Sequence, residues 1–391
     1  MVVRTGLDRL LRGDVDELVK GRRLGLIANP TSVDASLGHA ADRLLERGAL
    51  GLLLAPEHGI RGDAQDMISV GSGRDSKTGL PVHSLYGSTL ESLIPPRQVL
   101  AEVDTLVYDI QDVGCRYYTF PWTALLCLRA ASRAGVMLVV LDRPNPLGGT
   151  AVEGAGIQEG FTSFVGLHSV PARHGLTVGE LLRLVAAREG LANHLSVVPM
   201  QGWTRTMDYE QTGLPWVLPS PNMPTVATAF VYPGLCLLEG TELSEGRGTT
   251  CPFEIFGAPY IDGDRLAATL AEDDLPGVRL RPLGFRPTFH KFAGEACGGL
   301  QLHVTDRARF RPLLTGVAIL RAVRRLYPRE FRWRERPYEF VSDRLAIDLL
   351  AGGPWLREQL EAQAPLSRIA SGWRTDEDAF RRDRADCLLY D

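Results

Sequence analysis

Thr105-Leu-Val-Tyr-Asp-Ile110 is a short apolar run, and Gln111 to Thr119 is polar. Pro121 then opens a stretch in which Leu125, Leu128 and Ala131 recur at helical spacing, and Gly135 closes it. Val136-Met-Leu-Val-Val-Leu141 is apolar again. Pro fits the first turn of a helix and Gly its end. The segment therefore reads strand, helix, strand. Its strands are continuously apolar rather than alternating, as in a parallel sheet covered on both faces.

Similar runs lie at Leu24 to Ala28, Gly51 to Ala55 and Leu195 to Val198. A helix follows the first, with Leu37, Ala40, Ala41, Leu44 and Leu45 on one face, and Thr177 with Glu180 forms a capping box before Leu181. The fold expected is α/β: a Rossmann-like, doubly wound, mostly parallel sheet over residues 1–230. From about Leu214 the texture changes, with five prolines between Leu214 and Pro233. Beyond it, a strand at Leu300–Val304 and helices at Leu313–Leu326, Asp343–Leu350 and Leu356–Ala364 indicate a smaller C-terminal α+β domain, residues 231–391, closing a cleft.

With 391 residues the chain can bury a large core without disulfide or metal. Its net charge of −4 shows no basic excess, so no nucleic-acid partner is expected. No run approaches 18 apolar residues, so no membrane span is expected. The six cysteines form no C-x-x-C pair, which suits free thiols. The first residues carry no apolar signal core. The expectation is a cytoplasmic protein, or one whose leader was removed before the numbering begins. Oligomeric state is not legible.

Ligands of open α/β sheets bind beyond the carboxyl ends of the strands. The residues there are Asn29-Pro-Thr, Pro56-Glu-His-Gly-Ile-Arg-Gly62, Asp109 to Thr119, and Asp142-Arg-Pro-Asn-Pro-Leu-Gly-Gly149. The long connections 56–96 and 143–176 point to function. No nucleotide loop is present: the first strand leads into Asn-Pro-Thr-Ser, and Gly71-Ser-Gly-Arg74 lacks the third glycine and a preceding strand. Metal spacing is absent, and Cys115 sits in no nucleophile motif.

What remains is carboxylate chemistry. Glu57, one residue past a buried strand end, is a candidate general acid, or an ion-pair partner of Arg61. Asp109 and Asp112 are candidates for a second carboxylate, or cap the next helix. His174 is a candidate catalyst, or a hydrogen bonder at a helix entry. Glu239, Glu242, Glu245 and Arg247 form a Gly-rich loop that suits a polar ligand or a plain turn.

Five ordered motifs extend this reading: Ala-Pro-Glu-His-Gly-Ile-Arg-Gly (55–62), Tyr-Asp-Ile-Gln-Asp-Val-Gly-Cys-Arg-Tyr-Tyr-Thr (108–119), Leu-Asp-Arg-Pro-Asn-Pro-Leu-Gly-Gly (141–149), Pro-Ser-Pro-Asn-Met-Pro (219–224) and Glu-Gly-Thr-Glu-Leu-Ser-Glu-Gly-Arg-Gly-Thr (239–249). Together they resemble the exo-β-N-acetylmuramidases of the NamZ type, long a family of unknown function. The resemblance implies a Rossmann-like domain, a smaller second domain and an active-site cleft between them. It implies hydrolysis of terminal, non-reducing N-acetylmuramic acid from peptidoglycan fragments, with no cofactor. Glu57 matches the glutamate of the family's Glu-His-Gly motif.

Glycoside hydrolysis usually needs two carboxyl groups. Glu57 is the first choice; Asp112, Asp109, Glu239 and Glu245 compete for the second, and Tyr118 is an alternative that orients a nucleophile or water. Glu57, Asp112, Tyr118 and His174 form the candidate catalytic set. Arg61, Arg116, Arg143 and Arg247 are candidates for the sugar's lactyl carboxylate. Asn145 and Asn222 suit its hydroxyls or N-acetyl group, Tyr117 its ring, and His58 and Glu242 complete the binding set. The rival readings are a non-catalytic sugar-binding protein and a metal-dependent hydrolase.

Overall fold

Alternate residues of the central strands face two separate apolar layers. Leu24, Leu26, Ala28, Leu53, Val107, Val139 and Leu141 pack into one cluster. Ile27, Leu52, Leu54, Leu106, Tyr108, Leu138 and Val140 pack into the other. Both faces are thus covered, which is why the runs are apolar at every position.

The computed structural model describes residues 2–48, 50–62 and 73–391. Part of the 56–96 connection, including Gly71 and Ser72 of the rejected nucleotide loop, lies outside the described residues. The first sheet comprises β1 (Leu24–Ala28), β2 (Leu50–Ala55), β3 (Gly73–Arg74), β4 (Pro81–Ser84), β5 (Thr105–Asp109), β6 (Met137–Leu141) and β7 (Leu195–Val198). Their spatial order is β3-β4-β2-β1-β5-β6-β7. β3 runs antiparallel to β4, and every other neighbouring pair is parallel. The order reverses between β1 and β5, which is where such sheets open a ligand crevice.

Here that crevice is filled by the chain itself. Ser32 Oγ donates to the Asp109 carbonyl, and the Gln111 N–H donates to Thr31 Oγ1 at 2.9 Å. The Asn29 amide nitrogen donates to the Pro219 carbonyl at 3.3 Å. That bond ties the first strand's end to the 219–224 motif.

The helices obey their caps. Helix Phe120–Ala134 has Pro121 in its first turn and ends at Gly135 with φ 72°. Helix Val178–Glu189 forms the Thr177–Glu180 box. The helix after β1 is shorter than its spacing suggests, Ala40–Glu46. Leu37 lies outside it, 56% exposed, with φ 65°, because the Asp34 carboxylate gathers the N–H groups of Ser36 and Gly38 into a turn. A second box, Thr5 with Asp8, starts a helix at Gly6–Arg12 that the spacing argument does not reach.

The second sheet is antiparallel, β8 (Ile255–Ala258), β9 (Val278–Phe285) and β10 (Cys297–Val304), in the order β8-β10-β9. The strand expected at 300–304 is the end of β10. The expected later helices form at Pro312–Leu326, Ala346–Ala351 and Trp355–Glu361. One apolar cluster runs from Ile27 through Tyr232 to Ile347 and Trp373, joining the layers of both sheets. The final segment returns to the first sheet: the Leu389 N–H donates to Glu180 Oε1 at 2.9 Å, and the Tyr390 hydroxyl donates to Asp142 Oδ2 at 2.5 Å. Among the described residues no helix is long and apolar enough to cross a membrane.

Candidate active site

The turn after β2 carries the first functional group. The Gly59 N–H donates to the Pro56 carbonyl at 3.1 Å, so Glu57 and His58 are the two central residues. His58 holds φ 70°, a conformation that usually selects glycine. Such a departure by a non-glycine residue marks a place where the surroundings dictate the backbone. Glu57 is half-buried and His58 buried.

Both line a narrow cleft with about 90 Å3 of accessible volume, small beside the usual range for small-molecule sites. Loops of the first sheet supply Glu57, His58 and Tyr117 to Phe120; the 219–224 motif supplies Ser220, Asn222 and Met223. Later segments supply Tyr232, Glu239, Arg247, Phe253, His290, Arg334, Tyr338 and Glu339. Of the residues expected from sequence, Glu57, His58, Tyr117, Tyr118, Asn222, Glu239 and Arg247 are therefore brought together.

The far wall is an ionic lattice. Arg247 Nη2 donates to Glu239 Oε1 at 2.8 Å, and its Nε lies 3.2 Å from Glu245 Oε1. Glu239 Oε2 accepts from the Tyr338 hydroxyl at 2.8 Å. Glu245 lies outside the lining, fully buried, with Lys291 Nζ at 2.9 Å and His290 Nδ1 at 3.2 Å. Burial opposes its ionisation, but Lys291, His290 and Arg247 outweigh burial and hold the carboxyl well below the usual range. Glu245 thus fixes two cleft residues, Arg247 and His290. The loop's glycine at 246 has a packing reason: a Cβ there would meet the Ile255 carbonyl oxygen at 2.4 Å, and φ is 84°.

On the near wall the Tyr118 hydroxyl is buried and makes no well-formed hydrogen bond among the described residues. Burial raises its pKa, Asp112 and Glu57 raise it further, and Ser220 and Arg247 oppose. The phenol therefore keeps its proton at working pH.

Asp112 lies behind this wall rather than in it. Its Oδ2 accepts the Gly114 N–H at 2.7 Å, its Oδ1 has no partner among the described residues, and burial pushes its pKa up to about 7. An unfolded aspartate titrates near 3.9. Between about pH 4 and 7 the folded chain holds a proton that the unfolded chain has released. Asp112's contribution is therefore most favourable below about pH 4, and declines as pH rises through 7. Asp112→Asn keeps an acceptor for Gly114 and has nothing to ionise. It should flatten the stability decline across that window in urea unfolding; an unchanged slope would rule Asp112 out as its source.

The other expected residues are placed elsewhere. Asp109 and Arg143 pair with each other in the interior, Nε to Oδ1 at 2.6 Å and Nη2 to Oδ2 at 2.8 Å. Arg61 donates to Asp75 and Asp42. Arg116 is buried and donates to the carbonyls of Ala155, Val170 and Leu350. Asn145 bridges Leu176 and Leu147 through its amide, and Glu242 pairs with Arg336 at 3.1 Å. His174 Nδ1 accepts the Leu176 N–H at 3.1 Å; burial, then Arg384, Arg116 and Arg205, lower its pKa to about 3. It is neutral at working pH and serves the helix entry. Among the described residues no group of three or more His, Cys, Asp or Glu side chains is arranged to hold a metal.

Sequence patterns single out none of Ser220, Tyr232, Phe253, His290, Arg334, Tyr338 and Glu339. Only Ser220 had a signal, its place in the Pro-rich motif.

A mostly parallel sheet whose loops share a cleft of carboxylates, phenols and guanidinium groups with later segments of the chain defines an α/β enzyme for a polar ligand. The chain belongs to the exo-β-N-acetylmuramidase NamZ family. Residues 24–227 match the model of that family's N-terminal part, and residues 230–390 its C-terminal part. It is 45% identical over 390 residues to the peptidoglycan β-N-acetylmuramidase NamZ of Bacillus subtilis (strain 168), covering 99% of this chain and 91% of that protein. Two crystal structures of DUF1343 family proteins from Bacteroides fragilis NCTC 9343 are similar in fold. One has a TM-score of 0.88 at 35% identity, the other 0.79 at 27%; each comparison covers 100% of this chain and 99% of the other.

Proposed function

We propose that this protein is an exo-acting β-N-acetylmuramidase, which removes N-acetylmuramic acid from the non-reducing end of peptidoglycan fragments. The observation that carries the reading is a half-buried glutamate, Glu57, lining one cleft with the Arg247–Glu239 ion pair, in a chain 45% identical to a peptidoglycan β-N-acetylmuramidase.

In this reading Glu57 protonates the leaving glycosidic oxygen. Loss of the leaving group builds positive charge on the ring, which the carboxylates of the cleft stabilise. The Tyr118 hydroxyl orients the attacking group or water. Asn222 and His58 hold ring substituents, and Tyr117 and Phe253 give the sugar apolar contact. Residues 1–230 supply the acid, and residues 231–391 supply the opposite wall.

Purified protein should release N-acetylmuramic acid from a MurNAc-GlcNAc disaccharide. Absence of release, with an internal muramidase active in parallel, would overturn the reading. Tight binding without turnover would favour a binding protein instead. Activity that survives a strong chelator would remove the metal-dependent rival.

A further inference from the structure

We propose that Arg334 reads the lactyl carboxylate of N-acetylmuramic acid. This rests on the muramidase reading and deepens it. Muramic acid differs from glucosamine by a lactyl ether bearing one negative charge. The cleft holds Glu57, Glu239 and Glu339 beside Arg247 and Arg334, so the question is which cation an anionic sugar would meet.

The sequence offered four arginines for that task, and the structure engages all four. Arg61, Arg116 and Arg143 lie outside the lining with partners of their own. Arg247 lines the cleft but serves two carboxylates, Glu239 and Glu245. His290 is held by Glu245 as well.

Arg334 differs from these. It lines the cleft, and its guanidinium lies over the Tyr338 ring, 5.1 Å from the centroid. Nη2 donates to the Pro337 carbonyl at 3.1 Å. Its Nε is buried with no hydrogen-bond partner, and no carboxylate lies within ion-pair range of it among the described residues. A buried N–H without an acceptor is costly. A guanidinium with donors to spare matches a carboxylate's two oxygens.

The position is also fixed. The Arg334 main-chain N–H donates to the Gly240 carbonyl at 2.9 Å, next to Glu239. Tyr338 and Val341 exchange both main-chain hydrogen bonds at 2.9 Å, closing a two-residue turn. Its tip residues, Glu339 and Phe340, hold φ 44° and 68°, the left-handed pair of a tight hairpin turn. The Phe340 ring meets Tyr86 and Phe164 edge-on, at 6.4 and 5.9 Å. The turn that carries the Tyr338 platform is thereby clamped to the first sheet's side of the molecule.

The test compares free N-acetylmuramic acid with its lactyl methyl ester as competitive inhibitors of muramide hydrolysis. The wild type should bind the acid about 10- to 100-fold more tightly, the range of a charge-assisted hydrogen bond. Arg334→Gln should bind the two alike and raise KM for the muramide more than it lowers kcat. Arg334→Lys should recover part of the discrimination. An acid-to-ester ratio near one in the wild type overturns the proposal without any variant, and so does a ratio retained in a folded Arg334→Gln. A wild type that turns over no muramide overturns the muramidase reading instead; direct calorimetric binding of acid and ester then still decides the role of Arg334.

Discussion

Glu57→Gln should lower kcat for the disaccharide by about 100-fold or more, since a positioned acid or base typically contributes that much. The amide has nearly the same shape as the acid, so the turn after β2, closed by Gly59 and Pro56, should survive, and the melting temperature should stay close to wild type. The substrate dependence of the loss is the sharper readout. A nitrophenyl muramide leaves without protonation, whereas a disaccharide does not. If Glu57 is the acid, the variant should lose far less on the nitrophenyl substrate than on the disaccharide. Equal losses would move Glu57 to the nucleophile or base role. A wild-type rate on both would remove it from the reaction.

Arg143→Ala should cost about 3–5 kcal/mol of unfolding free energy, the usual penalty for stranding one member of a buried ion pair. Asp109 is fully buried and Arg143 nearly so. Arg143 also donates to the Val33 carbonyl at 2.9 Å, so the truncation strands two acceptors. Burial alone already raises the Asp109 pKa, and the arginine opposes that. Replacing both residues with apolar ones of matched volume should cost much less than the single change. Urea unfolding decides the point. A variant of unchanged stability but raised KM would return Arg143 to the ligand-binding set.

These two residues mark how far the sequence could be read. Glu57 and Asp109 each stand at the end of a buried parallel strand, and each is followed by polar residues. Pattern alone places both at the sheet's carboxyl edge. It cannot say that one faces a cleft while the other is sealed beneath the chain's own Asn29-Pro-Thr-Ser segment. The central strands were legible because two covered faces demand apolar residues at every position. β3 and β4 were not, being two and four residues long and incompletely buried. Glu239 and Arg247, which line the cleft, were singled out through their Gly-rich loop. Tyr338 and Glu339 come from a hairpin turn with no motif, Arg334 from the segment leading into it, and His290 from a loop between β9 and β10. Their role depends on which loops the fold brings opposite Glu57, and that is tertiary information.

The bond from Tyr390 to Asp142 has a consequence for how the molecule is assembled in time. Its partners are separated by 248 residues, so during ribosomal synthesis the Asp142 carboxylate must wait for nearly the whole chain. Burial lifts that carboxyl to about 6, against the donors Tyr390, Thr177 and Gly179. Until Tyr390 is made, that carboxyl has the Thr177 hydroxyl and the Gly179 N–H as donors. The contact between this edge of the first sheet and the Leu389–Tyr390 segment can therefore form only after residue 390 has been made.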